Sequence, residues 1–252
     1  MFIKLANLHL HYKILGHGEP IILLHGWGRN INYFAELAEH LSRRFTVYLL
    51  DLPGFGLSTL PEGVWGSADY AFLIKRFMEA FKIIDPILLG HSFGGKIVIH
   101  LAVLDEIKIK KIILISSSGI QLSKSLPIKL RTYFFKLLKF LVRLPIIKNV
   151  CVSKIEIYRQ RFGSNDYINT SGIMRSILVR TLQENVMRLL PKIKQPALLI
   201  WGDQDIATPL EAGRIMQHGI LGSQLKIITG SGHFPFLDNW ENVIREIDNF
   251  LS

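Results

Sequence analysis

The stretch Gly-His-Ser-Phe-Gly-Gly at residues 90–95 contains the residue types most directly suited to chemistry. It follows a short apolar run, and glycines stand two residues before and two residues after Ser92. A strand that turns sharply into a helix leaves no room for side chains at those two positions, so Gly90 and Gly94 suit such a turn. The turn would expose the Ser92 hydroxyl as a nucleophile beside the free amides of a helix N-terminus.

A serine hydroxyl is a weak nucleophile, and it needs a base that is in turn oriented by an acid. Of the nine histidines, His233 is the candidate base, because it lies in a loop of small residues after a late apolar run. Asp203 and Asp205 follow another apolar run, where a carboxylate can hold an imidazole in the required tautomer, and both are candidate acids. The serines at 116–118 lack glycines on both sides, so we interpret them as a loop.

These side chains need elements that bring them to one edge of a sheet. Short apolar runs bounded by Gly, Pro, Asp or Ser predict strands that are buried on both faces of a mainly parallel sheet. The predicted strands are 21–24, 45–50, 87–89, 111–115, 197–201 and 224–228, after a hairpin strand at 8–15 with its turn at 16–20. Helical spacing predicts helices at 31–41, 68–81, 96–104, 210–218 and 239–250, with a capping box at 208–211.

Several motifs together resemble the α/β-hydrolase superfamily. They are His-Gly-Trp-Gly at 25–28, Asp-Leu-Pro-Gly-Phe-Gly-Leu-Ser at 51–58, the Gly-x-Ser-x-Gly turn, and the late Gly-His followed by Phe-Pro. The chain order serine, aspartate, histidine is also the order that this fold uses. The resemblance implies that Ser92, Asp205 and His233 are catalytic, and that the backbone amides of Trp27 and Phe93 form the oxyanion hole.

The same resemblance assigns roles to the neighbouring residues. In the family pattern the acid is the last residue of Gly-x-x-Asp, which is Asp205 here, and Asp203 is left as a loop or helix-capping carboxylate. His25 is expected to shape the oxyanion loop, and Asp51 is expected to start a turn that packs beside the active site. This mechanism needs no metal and no organic cofactor.

The net charge of +10 lies in one internal segment, because residues 119–190 contain 13 lysines and arginines against three acidic residues. This composition predicts a separate unit between two parts of a core at 1–118 and 191–252. The resemblance implies that the segment is a helical cap over Ser92, and residues 129–143 have the pattern of a basic amphipathic helix. The predicted fold class is therefore α/β: an α/β-hydrolase fold with a mostly parallel central sheet, helices on both faces and an inserted helical cap.

These features predict a carboxylesterase-like serine hydrolase that cleaves the ester of a small or medium acyl group through an acyl-enzyme. Three alternatives stay open: an esterase for acyl-carrier-protein-linked methyl esters or thioesters, similar to pimeloyl-acyl-carrier methyl esterases; a carbon–carbon bond hydrolase; and a non-catalytic ligand receptor or membrane-surface protein. The basic cap could dock an acidic acyl carrier or an anionic membrane surface, whereas no nucleic-acid-binding motif accompanies the charge. No signal peptide or spanning helix is visible, and we expect a cytoplasmic protein.

Overall fold

The computed structural model describes residues 1–122 and 165–252. The strands are β1 (Phe2–Leu5), β2 (Leu8–Leu15), β3 (Glu19–Leu24), β4 (Phe45–Leu50), β5 (Ile87–His91), β6 (Lys111–Ile115), β7 (Ala197–Gly202) and β8 (Gln224–Ile228). They form one eight-stranded sheet in the order β1-β2-β4-β3-β5-β6-β7-β8. The pairs β1–β2 and β2–β4 are antiparallel and all other pairs are parallel, so the sheet is mostly parallel, as predicted.

The helices described are α1 (Ala35–Leu41), α2 (Ser67–Ala80), α3 (Phe93–Ala102), α4 (Asn165–Asn169), α5 (Gly172–Gln183), α6 (Leu210–Gly219), α7 (Pro235–Asp238) and α8 (Trp240–Leu251). Short 3₁₀ helices occupy Ile31–Phe34 and Leu190–Lys192. The helix predicted at 31–41 is thus a 3₁₀ turn followed by α1, and Asn30 caps the turn by accepting a hydrogen bond from the Asn32 backbone N–H.

Helices cover both faces of the sheet because alternate residues of each buried strand point to opposite sides. On one face, strand residues such as Ile113 and Ile200 form a buried cluster with residues of α1 and α8. On the other face, Tyr48 of β4 contacts Phe77 of α2, and the Trp201 ring of β7 lies against Gly213 of α6. Both sets of strand residues are therefore apolar, which explains the near-continuous hydrophobic runs in the sequence.

Three local predictions are corrected by the structure. The hairpin strand at 8–15 pairs with β1 through a two-residue turn at Ala6 and Asn7, and not with the strand that follows the turn at 16–20. The helix predicted at 96–104 begins three residues earlier, at Phe93, directly after the turn residue Ser92. The predicted capping box at 208–211 is absent, because α6 begins at Leu210 with no side-chain cap.

The described residues divide into two compact units. The first consists of residues 1–121 and 179–252, and the second is Leu122–Leu178, which contains α4 and the first part of α5. The boundaries differ from the predicted segment 119–190, because residues 179–190 belong to the first unit: Nζ of Lys96 donates to the Thr181 carbonyl over 2.5 Å, and the Ser67 backbone N–H donates to Glu184 over 3.0 Å. The predicted basic amphipathic helix at 129–143 lies outside the described residues.

Candidate active site

Ser92 occupies the sharp turn between β5 and α3. Its backbone has a φ of 50° and a ψ of −109°, a strained conformation for a residue with a side chain. The turn needs glycines on both sides: a Cβ on Gly90 would lie 2.5 Å from the Gly94 carbonyl, and a Cβ on Gly94 would lie 1.9 Å from the Leu24 carbonyl oxygen. The strain at Ser92 is therefore maintained by a close approach of backbone to backbone that no other residue type permits.

The end of β6 and the loop after it hold the backbone of Ser92. The Ser92 N–H donates to the carbonyl of Ile115 over 3.0 Å, and the Ser118 N–H donates to the Ser92 carbonyl over 3.0 Å. Ser116 and Ser117 are fully buried beside this turn. The three serines form a loop, as predicted, but the sequence did not indicate that this loop supports the turn at Ser92.

Asp205 and His233, which follow the ends of β7 and β8, are in direct contact. Nδ1 of His233 lies 2.8 Å from Oδ2 of Asp205, whose side chain is fully buried, whereas the His233 side chain keeps 17% of its surface exposed. Burial by itself raises the pKa of Asp205, but the hydrogen bonds from His233 and from the Thr208 backbone outweigh burial and lower the pKa below its ordinary value. Asp205 is therefore held as a carboxylate that accepts the proton on Nδ1 of His233.

Thr208 belongs to this arrangement, although the sequence suggested a helix cap. Its backbone N–H and that of Ala207 both donate to Oδ1 of Asp205 over 2.9 Å. Its hydroxyl lies 2.8 Å from Oδ2 of Asp205 and 3.0 Å from the Ser116 carbonyl oxygen, and it can donate its single proton to only one of them at a time. Thr208 thus orients the carboxylate and connects it to the loop that supports Ser92.

The two candidate acids have different surroundings. Asp203 is exposed, and its Oδ1 accepts a hydrogen bond from the Gly230 backbone N–H over 2.8 Å. Asp205 is the one that contacts the imidazole of His233. Asp203 therefore fixes the start of the loop that carries His233, and Asp205 orients the imidazole of His233.

His91 is a site residue that the sequence analysis missed. Its Nε2 lies 2.9 Å from the His233 carbonyl oxygen, and its ring packs 4.8 Å from the ring of His233. Burial, followed by the neighbouring charge of His233, lowers the pKa of His91 to about 3, so its ring is neutral. A carbonyl can only accept, so the single ring proton sits on Nε2, and Nδ1 has no hydrogen-bond partner among the residues the structure describes. His91 therefore joins the turn at Ser92 to the loop that carries His233.

Trp27 and Phe93 lie side by side beyond the ends of β3 and β5. Their rings meet edge to face with centroids 5.3 Å apart. A Cβ on Gly26, the residue before Trp27, would lie 3.3 Å from the Ser92 Cβ, so this loop passes directly against the turn. As the first residue of α3, Phe93 has a backbone N–H without an acceptor inside the helix.

His25 fixes the conformation of this loop. Its Nε2 accepts a hydrogen bond from the Leu52 backbone N–H over 3.0 Å, so the ring proton is on Nδ1, which donates to the Gly26 carbonyl over 2.8 Å. Burial lowers the pKa of His25 to about 4 and keeps the ring neutral. The fully placed ring is consistent with the predicted structural role of His25.

Asp51 connects the loops beside this site. Its Oδ1 accepts from the Ile31 backbone N–H over 2.8 Å, and its Oδ2 accepts from the Leu57 backbone N–H over 2.9 Å and contacts Nδ1 of His11 at 2.8 Å. The carboxylate is buried and joins the segment after the His-Gly-Trp-Gly loop to the turn that begins at Asp51 itself.

Of the residues that the sequence selected, the structure brings Asp205 to His233 and Trp27 to Phe93. Within residues 1–122 and 165–252, no hydrogen bond joins the hydroxyl of Ser92 to His233. In the same residues no three His, Cys, Asp or Glu side chains form a group that could hold a metal ion. None of the helices described is long and apolar enough to cross a membrane.

Comparison with known proteins defines the class. The sequence profile of the alpha/beta hydrolase fold family matches residues 19–146, about half of the chain. The chain therefore belongs to the α/β-hydrolase family, and the fold class predicted from the sequence is confirmed.

Relatives with assigned names span nearly the whole chain. The protein is 26% identical over 264 residues to a pimeloyl-[acyl-carrier protein] methyl ester esterase of Chromobacterium violaceum, covering 97% of this chain and 99% of the relative. It is 27% identical over 271 residues to a 2-hydroxy-6-oxononadienedioate/2-hydroxy-6-oxononatrienedioate hydrolase of Escherichia coli, covering 98% of this chain and 92% of the relative. A solved esterase from Exiguobacterium antarcticum shares the fold, with a TM-score of 0.77 at 22% identity, covering 100% of this chain and 99% of that one. These similarities support a hydrolase.

Proposed function

We propose that the protein is a serine hydrolase that cleaves carboxylic esters through an acyl-enzyme. The observation that carries the proposal is the 2.8 Å contact between Nδ1 of His233 and the buried carboxylate of Asp205. Ser92 follows β5 of the same parallel sheet, and ligands of such sheets bind beyond the carboxyl ends of the strands.

The hydrogen bond from His233 to Asp205 sets the direction of proton transfer. Because Asp205 accepts the proton on Nδ1, the Nε2 atom of His233 carries a lone pair and can accept the proton of the Ser92 hydroxyl. Ser92 Oγ then attacks the ester carbonyl carbon, and the carbonyl electron pair moves to the oxygen. The hydroxyl and the imidazole are not hydrogen-bonded in this structure, and such contacts commonly tighten only when substrate binds.

Collapse of the tetrahedral intermediate expels the alcohol, which takes the proton from Nε2 of His233 and leaves an acyl group on Ser92. Water attacks this acyl group while His233 accepts one of its protons and returns it to Oγ as the acid leaves. The backbone amides of Trp27 and Phe93 are the proposed donors to both oxyanions, and each such donor contributes about 10²-fold or more to the rate.

A second candidate is an esterase for an ester linked to an acyl carrier protein. It is supported by the similarity to the Chromobacterium violaceum methyl ester esterase and by the net charge of +10 in residues 119–190, which suits an acidic partner. Under this proposal the Michaelis constant for a carrier-linked methyl ester should rise strongly with salt, while that for a free methyl ester should not. Equal salt dependence of the two substrates would contradict carrier recognition by charge.

The nucleophile is tested with a fluorophosphonate probe that reacts with activated serines. The folded wild-type protein should be labelled and Ser92→Ala should not. Ser223→Ala is the matched control, because Ser223 is also a half-buried serine but its hydroxyl donates to the Gln217 carbonyl and not to the turn at Ser92, and this variant should still be labelled. Absence of labelling in the wild-type protein would exclude the enzyme assignment and favour a non-catalytic ligand-binding protein of this fold.

A panel of substrates then decides the bond that is cleaved. Wild-type protein and Ser92→Ala are assayed with a p-nitrophenyl acyl ester series, an acyl thioester and a vinylogous 1,5-diketone of the type that carbon–carbon bond hydrolases cleave. We expect Ser92-dependent turnover of the esters. Turnover of the diketone alone would replace the ester proposal with the carbon–carbon bond alternative, which the similarity to the Escherichia coli hydrolase supports.

A further inference from the structure

Arg29 is the charged side chain closest in sequence to the His-Gly-Trp-Gly loop, and it lies over two aromatic rings, one of which belongs to the residue after His233. Its guanidinium carbon lies 4.5 Å from the ring centroid of Tyr33 and 5.1 Å from that of Phe234. Phe234 directly follows His233, and the centroids of these two rings are 5.0 Å apart. A fixed positive charge is therefore held one aromatic ring away from the proposed catalytic base.

No carboxylate neutralises this charge within the part of the chain that the structure describes. Arg29 takes part in none of the ion pairs there. The two buried carboxylates beside the site, Asp51 and Asp205, accept hydrogen bonds from other groups on both of their oxygens. Arg29 is only half-buried.

The Arg29 charge reaches His91, the buried residue that holds the His233 loop. Burial is the main cause of the low pKa of His91, the residue before Ser92, and the charges of His233 and Arg29 lower that pKa further. Aromatic contacts hold a guanidinium in place while its in-plane N–H fork stays free, and this fork matches the two oxygens of a carboxylate. A charge that can act on His91 also acts on a substrate anion bound at the same edge of the sheet.

We propose that Arg29 forms a subsite for a carboxylate of the substrate, so that the preferred esters are half-esters of dicarboxylic acids. The inference rests on the proposed esterase function and specifies its substrate class. A carboxylate is favoured over a phosphate because the site offers one unit of positive charge, and no second lysine or arginine shares these contacts among the described residues.

The test compares charged and neutral esters of the same length. Monomethyl and dimethyl esters from succinate to suberate are assayed with wild-type protein, and the ratio of kcat/KM for the monomethyl over the dimethyl ester is followed. In Arg29→Gln this ratio should fall roughly 10- to 100-fold, mainly through KM, and in Arg29→Lys by less, because the charge remains without the fork. An unchanged ratio would overturn the proposal, and so would an equal loss on both esters, which indicates a structural role.

Arg44→Gln is the matched control. Arg44 also lies over an aromatic ring, at 5.5 Å from the Phe45 centroid, but it precedes β4 and so lies at the opposite edge of the sheet. Its substitution should leave the ratio at the wild-type value. If Arg44→Gln lowers the ratio as much as Arg29→Gln, the effect comes from net charge, and the subsite is refuted.

Binding separates failure of the subsite from failure of the esterase function. Calorimetry with the monomethyl ester series uses Ser92→Ala protein with and without Arg29→Gln, and the second substitution should weaken binding at least about 10-fold. If the monomethyl esters bind in an Arg29-dependent way but the wild-type protein hydrolyses no ester, the subsite proposal is supported and the esterase proposal is refuted. If the protein hydrolyses esters but binding does not depend on Arg29, the esterase proposal is supported and the subsite proposal is refuted. If none of the monomethyl esters binds, the subsite proposal is also refuted.

Discussion

Two buried, neutral histidines should make the protein sensitive to acid. Burial lowers the pKa of His91 to about 3 and that of His25 to about 4, whereas an imidazole in the unfolded chain titrates at about 6.5. Between these values the unfolded chain binds a proton that the folded protein does not, so lowering the pH favours unfolding. Their stabilising effect is complete above about pH 6.5 and decreases as the pH falls toward the folded-state values.

The size of the effect follows from the two pKa values of each ring. At pH 5 the lost stability is about 2 kcal/mol for His91 and about 2 kcal/mol for His25, relative to pH 8. His91→Gln removes one titrating ring and keeps an N–H donor near the position of Nε2, which lies 2.9 Å from the His233 carbonyl. The variant should therefore lose about 2 kcal/mol less than the wild type between pH 8 and pH 5.

Urea unfolding at pH 8, 6.5 and 5 measures this difference as the change in free energy of unfolding. His218→Gln is the control, since the side chain of His218 is exposed on α6. Between pH 8 and pH 5 this variant should lose the same free energy of unfolding as the wild-type protein. If His91→Gln and the wild-type protein lose the same free energy between pH 8 and pH 5, the neutral, buried state assigned to His91 is wrong.

Three further predictions concern the turn and the acid. Gly94→Ala would place a Cβ 1.9 Å from a backbone carbonyl oxygen and should destabilise the fold by about 3 kcal/mol or more, whereas Gly63→Ala, with no atom within 4 Å, should change the unfolding free energy little. Asp205→Asn should lower kcat by about 10⁴-fold and Asp203→Asn by less than about 10-fold; the reverse order would reassign the acid. Thr208→Val removes a hydroxyl 2.8 Å from the Asp205 carboxylate and should lower kcat/KM about 10-fold, so unchanged kinetics would exclude a positioning role.

The central strands were predicted well because burial on both faces leaves a continuous apolar run in the sequence. Six of the eight strands were predicted as apolar runs bounded by turn residues, and β2 was recognised from its alternation. Strand β1 was missed, since it is a four-residue edge strand with two exposed residues and its apolar residues are interrupted by Lys4. The hairpin expected around the turn at residues 16–20 does not form, because β2 pairs with β1 and β4, whereas β3 pairs with β4 and β5.

The positioning residues could not be predicted, because their roles depend on contacts between distant parts of the chain. His91 is an ordinary residue of a strand end until β8 brings the His233 carbonyl to within 2.9 Å, across 142 residues of sequence. Thr208 has the sequence signature of a helix cap, and its hydroxyl instead lies near the Ser116 carbonyl, 92 residues away. Local preference at Thr208 was overridden by a buried carboxylate that requires donors.

The sequence by itself determined the sharp turn at Ser92, since only glycines at positions 90 and 94 avoid the backbone collisions found there. It also determined which loops carry the histidine and the two aspartates, because each strand is a short apolar run and ends where polar or small residues begin. The family pattern already favoured Asp205 over Asp203, and Asp205 is the aspartate that contacts His233. Only the tertiary structure decided that Arg29 is held against Phe234. Distances between side chains on different loops are set by the register of the sheet and its packing, and no local pattern encodes them.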